Sequence, residues 1–258
     1  MNKFIYTILL AFLFFSCSTK KNKPLNKGYH SIVSSYNVLF NGAASIEEGL
    51  LQTQNAFNEN FWEVLPIEKI KISDEIITVD GIDNANFIKG EEKAAKTIQK
   101  HSMIINGTQE NSKIANAYLL LGKARYLDQR FVPALDAFNQ VYKHMAINDE
   151  LEESIIWKAK CNIRLEQEGS AIDLLKNLLK KEKINPRNKA HANAVLSMAY
   201  LQLDELEKSS KALKIASEIE TNKITKARHL YILGQLLEKQ LNIDSANIYF
   251  RKVAEFKR

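Results

Sequence analysis

The sequence is poor in the residues that build most catalytic and metal sites. It has two cysteines, Cys17 and Cys161, which form neither a disulfide framework nor a zinc-site spacing. Its five histidines make no paired metal-binding spacing, and no nucleophile-elbow, Walker or Rossmann pattern occurs. These absences predict a protein that is not an enzyme, that needs no cofactor or metal, and that has no small-molecule substrate.

Helix breakers and charge of one sign are also scarce. The 258 residues include 9 glycines and 4 prolines, and 45% of them are hydrophobic, which is inconsistent with a disordered chain. Lysine and arginine number 36 against 30 acidic residues, a net charge of +6, or +5 without Lys3 of the leader. An excess this small is an ordinary solubility charge and argues against nucleic-acid binding.

The first 16 residues predict a secretory signal peptide. An apolar run from Phe4 to Phe15 follows one lysine, and it is shorter than the roughly 20 residues that span a bilayer. The small Ser16 directly before Cys17 resembles a bacterial lipobox, although the two phenylalanines before it are bulkier than the strict pattern allows. We therefore expect Cys17 to be the lipid attachment site, with a short membrane anchor and an incidental cysteine as the open alternative.

Residues 17–28 are polar and basic, and we expect them to be a flexible tether. They lack the acidic run after the cysteine that resembles a surface-export signal in bacteria with relaxed lipoboxes. We therefore expect a lipid-anchored protein on the periplasmic face of the outer membrane.

The segment from Ala115 to Met145 predicts two amphipathic helices joined by a polar turn at residues 128–130. The spacing of Gly122, Ala134 and Phe138 within it is typical of the tetratricopeptide repeat (TPR), in which helix–turn–helix units stack to bury a shared core. Comparable units begin 37, 38 and 37 residues apart. We predict an all-α solenoid over residues 111–258, with units near 115–148, 152–185, 190–223 and 227–258. No polar capping helix follows the last unit, so we expect the array to be part of a longer one, with an end covered by a partner as the open alternative.

The first helix of each TPR unit lines the concave face, where partners usually bind. Several side chains at these positions are basic, and together they suit an acidic peptide or a carboxylate, although an ordinary solvated face is an equal alternative. The candidate partner contacts are Asn116, Lys123, Glu153, Lys160, Arg164, His191, Arg228 and Gln235.

Residues 29–110 predict a helical region that precedes the array. Helical periodicity runs from Ala43 to Trp62 and is stopped by Pro66, and a second helix is expected from Gly90 to Ile105. Between them, residues 66–88 show no regular pattern apart from short alternating stretches. Asn41-Gly42 and Asn106-Gly107 are turn signals.

Three segments together resemble one family: residues 29–42, which end in YNVLFNG, residues 91–103, and residues 117–139. They are similar to the amino-terminal part of the SprE/PorW lipoproteins of gliding motility and type IX secretion in Bacteroidetes. The resemblance implies a longer TPR scaffold that joins the outer-membrane translocon to motor and ring components of the secretion system. Of functional residues, it carries over Cys17 alone.

Two other classes of TPR-built lipoprotein stay open. A SusD-like solute- or glycan-binding lipoprotein would show aromatic insertions between repeats, whereas the linkers here are short and polar. An outer-membrane assembly lipoprotein resembling BamD would lack the long YNVLFNG-containing region before the repeats.

Overall fold

The structure, a computed structural model, describes residues 18–72, 81–143 and 148–256. Helices dominate its amino-terminal region, which also contains one short antiparallel hairpin. The elements in chain order are α1 (Pro24–Ser35), a π-helical stretch (Tyr36–Gly42), α2 (Ala43–Ala56), α3 (Ala85–His101), β1 (Ile104–Ile105) and β2 (Thr108–Gln109).

Four antiparallel helix pairs follow, and they form the TPR-type solenoid that the sequence predicts. Each pair packs against the next, so the buried core runs through all four units. The pairs are α4 (Lys113–Leu127) with α5 (Phe131–Lys143), α6 (Asn148–Arg164) with α7 (Glu168–Leu179), α8 (Pro186–Gln202) with α9 (Leu206–Ile219), and α10 (Lys223–Lys239) with α11 (Ile243–Ala254).

The turn inside each pair shows the repeat directly in the backbone. One residue of every turn has a left-handed conformation, with φ between 57° and 63°. These residues are Gln129, Glu166, Asp204 and Leu241, at intervals of 37, 38 and 37 residues. A left-handed residue ends a helix, because the chain can no longer continue the right-handed turn. The same intervals separate the units in the sequence.

Helix spacing within a pair depends on the sizes of two facing residues. In the first unit, a Cβ atom added to Gly122 would overlap the ring of Phe138, and in the fourth unit Gly234 meets Phe250 in the same way. The equivalent positions in the second unit hold Ala159 and Leu175, both fully buried. A larger residue on the first helix therefore accompanies a smaller one on the second, as close packing requires.

The helix expected from Gly90 to Ile105 is α3, which begins earlier, at Ala85, and ends at His101, so that Ile105 lies in β1.

The amino-terminal region differs from its expected form in three further places. Helix α2 ends at Ala56, six residues before Trp62, because the chain leaves the helix at Phe57 with an extended backbone. Helix α1 begins at Pro24, inside the expected tether. Asn41-Gly42 lies within the π-helical stretch instead of forming a turn, whereas Asn106-Gly107 does form the turn of the β-hairpin.

In the ranges that the structure describes, no helix is both long enough and apolar enough to cross a membrane.

Candidate functional site

The concave face of the solenoid is the candidate functional site, and a part of the chain itself lies in it. Residues 57–72, here called the groove segment, have no helical structure and contact the first helices of the units. The segment meets the fourth unit near Glu59, the second unit at Glu68 and the turn of the first unit at Lys71. It therefore runs opposite to the order of the repeats.

Helix α10 of the fourth unit holds the start of the groove segment by its backbone. The Gln235 side chain accepts a hydrogen bond from the Leu65 amide (3.0 Å) and donates to the carbonyl oxygens of Phe61 (3.3 Å) and Glu63 (2.7 Å). Arg228 donates to the Pro66 carbonyl at 2.6 Å and forms an ion pair with Glu59. Since one amide side chain contacts three backbone groups in and directly after the turn at residues 60–63, this end of the groove binds the segment through its main chain.

Apolar contacts continue along the segment. Leu65 is buried in a cluster that also contains Ala194 of α8 and Ile232 of α10, and Ile70 is buried in the cluster of the first unit. The Phe61 ring packs edge-on against Tyr231, with ring centroids 5.8 Å apart. The segment therefore fills part of the core that the first helices would otherwise expose.

The centre of the groove holds one carboxylate among three partners. Glu68 forms ion pairs with Lys160 (2.5 Å) and Arg164 (2.8 Å), and it accepts a hydrogen bond from the Tyr126 hydroxyl (2.5 Å). Arg164 also donates to the Tyr126 oxygen at 3.0 Å. Only 4% of the Lys160 side chain is exposed, so its charge depends on these contacts for compensation.

The pKa values in this cluster follow from burial and charge. Burial alone would raise the pKa of Glu68, but Lys160 and Arg164 overcome it and lower that pKa to about 2. Burial lowers the pKa of Lys160, and Glu68 opposes the change. Burial raises the pKa of Tyr126, and the neighbouring Glu68 carboxylate raises it further. Glu68 is thus ionised at any physiological pH.

Trp157 of α6 connects this cluster to the rest of the candidate residues. The Lys160 ammonium lies 3.3 Å from the centre of a Trp157 ring, a close cation–π contact. His191 packs edge-on against the same residue at 6.2 Å, and its pKa is lowered to about 3 by burial and then by Lys160. Lys123 and Glu153 form an ion pair of 2.6 Å beside them.

A second part of the concave face is not covered by the groove segment. Asn116 donates to Glu150 there at 3.0 Å. A cavity of about 250 Å³ opens between the π-helical stretch and the amino-terminal ends of α4, α6 and α8. Its lining residues include Val38, Leu39, Asn116, Lys123, Glu153 and Arg187. Motif residues of the YNVLFNG stretch thus border the open part of the groove.

The structure therefore sorts the predicted contact residues into two groups. The groove segment is bound by Lys160, Arg164, Arg228 and Gln235. The open cavity is lined by Asn116, Lys123 and Glu153. The eighth residue, His191, lies beside Trp157. Cys17 lies outside the described residues. Within the described ranges, no group of three or more His, Cys, Asp or Glu side chains is arranged to hold a metal ion.

The sequence did not predict the part of this site that the groove segment and Tyr126 form. The helical periodicity that runs to Trp62 does not reveal that Glu59 and Glu68 lie in the groove, because the contacts of this segment are made with residues up to 174 positions away. Tyr126 lies within the predicted first repeat helix, where nothing in the repeat pattern marks it as a partner of Glu68.

No protein-family model and no curated protein matches the chain. Among solved structures, MamA from Desulfovibrio magneticus RS-1 (41-end) is similar over 66% of this chain and 85% of its own, with 17% identity and a TM-score of 0.49. A MamA double mutant (RS-1 ArsTM) is similar over 66% of this chain and 84% of its own, with 16% identity and a TM-score of 0.49. YrrB, described as a TPR protein with an unusual peptide-binding site, is similar over 65% of this chain and 76% of its own, with 16% identity and a TM-score of 0.43. The TPR assignment here rests on the four helix pairs and their 37–38-residue steps.

Proposed function

We propose that this chain is a non-enzymatic scaffold that binds other proteins through the concave face of its TPR array. The observation that carries this proposal is the groove segment, because the array holds a non-helical polypeptide segment along the first helices of its units. It does so by side-chain contacts to backbone groups, as at Gln235, and by paired charges, as at Glu68. The same chemistry suits a segment of a partner protein.

We further propose that the scaffold is a lipoprotein, attached through Cys17 to the periplasmic face of the outer membrane, that serves type IX secretion and gliding motility. In this role it links the translocon to motor and ring components. The proposal is supported by the leader and by the three segments that resemble the SprE/PorW lipoproteins. The YNVLFNG residues that border the open cavity add support, since Leu39 is half-exposed and core packing alone does not explain it.

Partners of this scaffold would bind at the open cavity, since the groove segment occupies the rest of the concave face. Arg187 is an exposed residue that lines this cavity, and Lys189 is exposed on the same helix without lining it. Reversing either charge makes a matched pair of variants with little effect on folding, because surface substitutions usually change stability by less than about 0.5 kcal/mol.

The test is affinity capture of the native protein from detergent-solubilised membranes, followed by mass spectrometry. We expect translocon and motor-ring proteins to be recovered, to be lost with Cys17→Ala or without residues 115–258, and to be reduced by Arg187→Glu but not by Lys189→Glu. Recovery of only a TonB-dependent glycan transporter would contradict the proposal and support a SusD-like role instead. Equal recovery with both charge-reversal variants would place the binding surface away from the cavity.

A further inference from the structure

Helix α1 packs against the rest of the protein with its polar face. Its buried residues are Asn26, His30 and Ser34, which follow each other at four-residue intervals. The Nδ1 atoms of His30 and His101 lie 2.8 Å apart, and Ser34 accepts a hydrogen bond of 2.9 Å from buried Asn111. A helix on the surface of a globular protein normally turns its apolar face inward, so α1 has the reverse arrangement.

The outward face of the same helix is apolar. An exposed stripe continues from α1 through the π-helical stretch, and Ile32 at its centre is 72% exposed. Tyr36 and Phe40 stack on each other within it, with ring centroids 5.7 Å apart. This surface, here called the outer stripe, consists of Leu25, Tyr29, Ile32, Tyr36 and Phe40. At a rise of 1.5 Å per residue it is about 20 Å long.

The chain that forms the outer stripe carries only positive charge. Residues 1–46 contain no aspartate or glutamate, although the whole chain has 30 of them. Four lysines lie at the amino-terminal end of the stripe, at positions 20, 21, 23 and 27, and the first three are exposed. Lys27 pairs with Glu110 at 2.5 Å. Exposed apolar surface beside uncompensated lysines is complementary to a membrane that contains anionic lipid.

We propose that the outer stripe lies in the surface of a lipid membrane with anionic headgroups, with α1 and the π-helical stretch parallel to the membrane plane. Tyrosine and phenylalanine side chains suit this interface, and a long amphipathic helix with lysines at one side is the usual form of such a contact. A groove on a partner protein would leave the lysine cluster without a specific counter-charge. The inference goes beyond the scaffold proposal and does not depend on which proteins the array binds.

Attachment at Cys17 would strengthen this contact but is not required for it. The six residues from 18 to 23 span at most about 20 Å when fully extended, so an acylated Cys17 would hold α1 close to the bilayer. The stripe would then fix the orientation of the solenoid, because a lipid chain alone leaves the attached domain free to rotate.

The test uses the full chain, purified from membranes and reconstituted into vesicles of phosphatidylethanolamine and phosphatidylglycerol. An environment-sensitive fluorophore is attached to Ile32→Cys on the outer stripe or, as a matched control, to Ile248→Cys on α11, which is 55% exposed. Labelling is selective, because Cys161 is buried and its pKa is raised to about 12 by that burial. Thermal unfolding of both variants confirms that they fold, and the unsubstituted protein reports any label on Cys17.

We expect the emission from position 32 to shift to shorter wavelength in vesicles and to be quenched by spin-labelled lipid, with a smaller effect when phosphatidylglycerol is omitted. Position 248 should report water under all conditions. The same emission at both positions would overturn the proposal. A shift at position 32 without vesicles that grows with protein concentration would also overturn it, in favour of contact between copies of this chain. Neither result depends on the capture experiment that tests the scaffold role.

Discussion

The solenoid and the region before it are held together by different kinds of contact. In the array, fully buried Phe138, Leu175 and Leu213 lie at equivalent positions of successive units, and the helix pairs close over apolar clusters. In the amino-terminal region, α1 is buried through polar side chains and the groove segment is held by ion pairs and backbone hydrogen bonds. Apolar burial thus builds the repeats, whereas the segments that cover them combine buried apolar residues such as Leu65 and Ile70 with specific polar contacts.

The two regions should therefore lose stability through different kinds of substitution. Apolar packing loses free energy in proportion to the volume removed or forced in, while a buried charge becomes costly as soon as its partner is lost.

Replacing Glu68 with Gln should destabilise the protein by about 3–5 kcal/mol. The substitution leaves Lys160 and Arg164 without their carboxylate, and a buried charge that has lost its partner costs this much. The measurement is the urea denaturation midpoint and the free energy of unfolding. Glu63→Gln makes the same change in charge at an exposed position of the same segment, and should alter the free energy by less than about 0.5 kcal/mol. Equal effects of the two variants would show that Glu68 is not buried in the groove.

Replacing Gly122 with Ala should destabilise the array by about 1–3 kcal/mol, because the added Cβ overlaps the Phe138 ring. Adding Phe138→Leu recreates the Ala159–Leu175 pair of the second unit and should recover part of the loss, so the two effects are not additive. The measurement is a double-mutant cycle by urea denaturation.

Gly169→Ala is the control for this cycle, since a Cβ there meets nothing within 4 Å. It should be neutral or stabilise α7 by up to about 1 kcal/mol. Additive effects of the Gly122 and Phe138 substitutions would contradict the account of helix spacing.

Stability should rise with pH between about 4.5 and 6.5, and His191 should supply part of the slope. The pKa of His191 is lowered from 6.5 to about 3 by burial and by Lys160, so in this range the unfolded chain binds a proton that the folded protein does not. Unfolding is therefore favoured as pH falls. Glu68 adds nothing in this range, because its pKa of 4.5 in the unfolded chain falls to about 2 on folding and its contribution is lost only below pH 4.5.

The measurement compares the free energy of unfolding of the unsubstituted protein with that of His191→Gln at several pH values. In the variant, the slope of the free energy of unfolding against pH should be smaller by up to about 1.4 kcal/mol per pH unit. Part of the slope should remain, since burial also lowers the pKa of His229 to about 4. Identical slopes would show that His191 is accessible to protons in the folded protein.

The smallest effect is expected at Ile32 on the outward face of α1. Ile32→Ser should change the free energy of unfolding by less than about 0.5 kcal/mol, because the side chain is exposed. Ser34→Val on the inward face should cost about 1–3 kcal/mol, because it removes the partner of Asn111 from a fully buried position. A conventional amphipathic helix would show the opposite order.

The sequence predicted the array well because its signals are local and repeated. Gly122 with Phe138 and Gly234 with Phe250 recur at equal spacing, and polar turns separate the helices, so the all-α solenoid is confirmed. The groove segment could not be predicted, because its contacts join Leu65 to Gln235 and Glu68 to Arg164 across long stretches of chain. Residues 57–62 continue a helical pattern in sequence, yet tertiary contacts draw them out of α2.

The central claim is that the groove segment lies in the concave face of the array, and hydrogen exchange of its backbone amides tests it most directly. The Leu65 amide donates to Gln235 and is buried, so it should exchange as slowly as amides in the array helices. In Gln235→Ala, exchange should become faster at Leu65 while α4 and α5 keep their protection. Exchange of residues 59–72 at the rate of a free peptide in the unsubstituted protein would contradict the account.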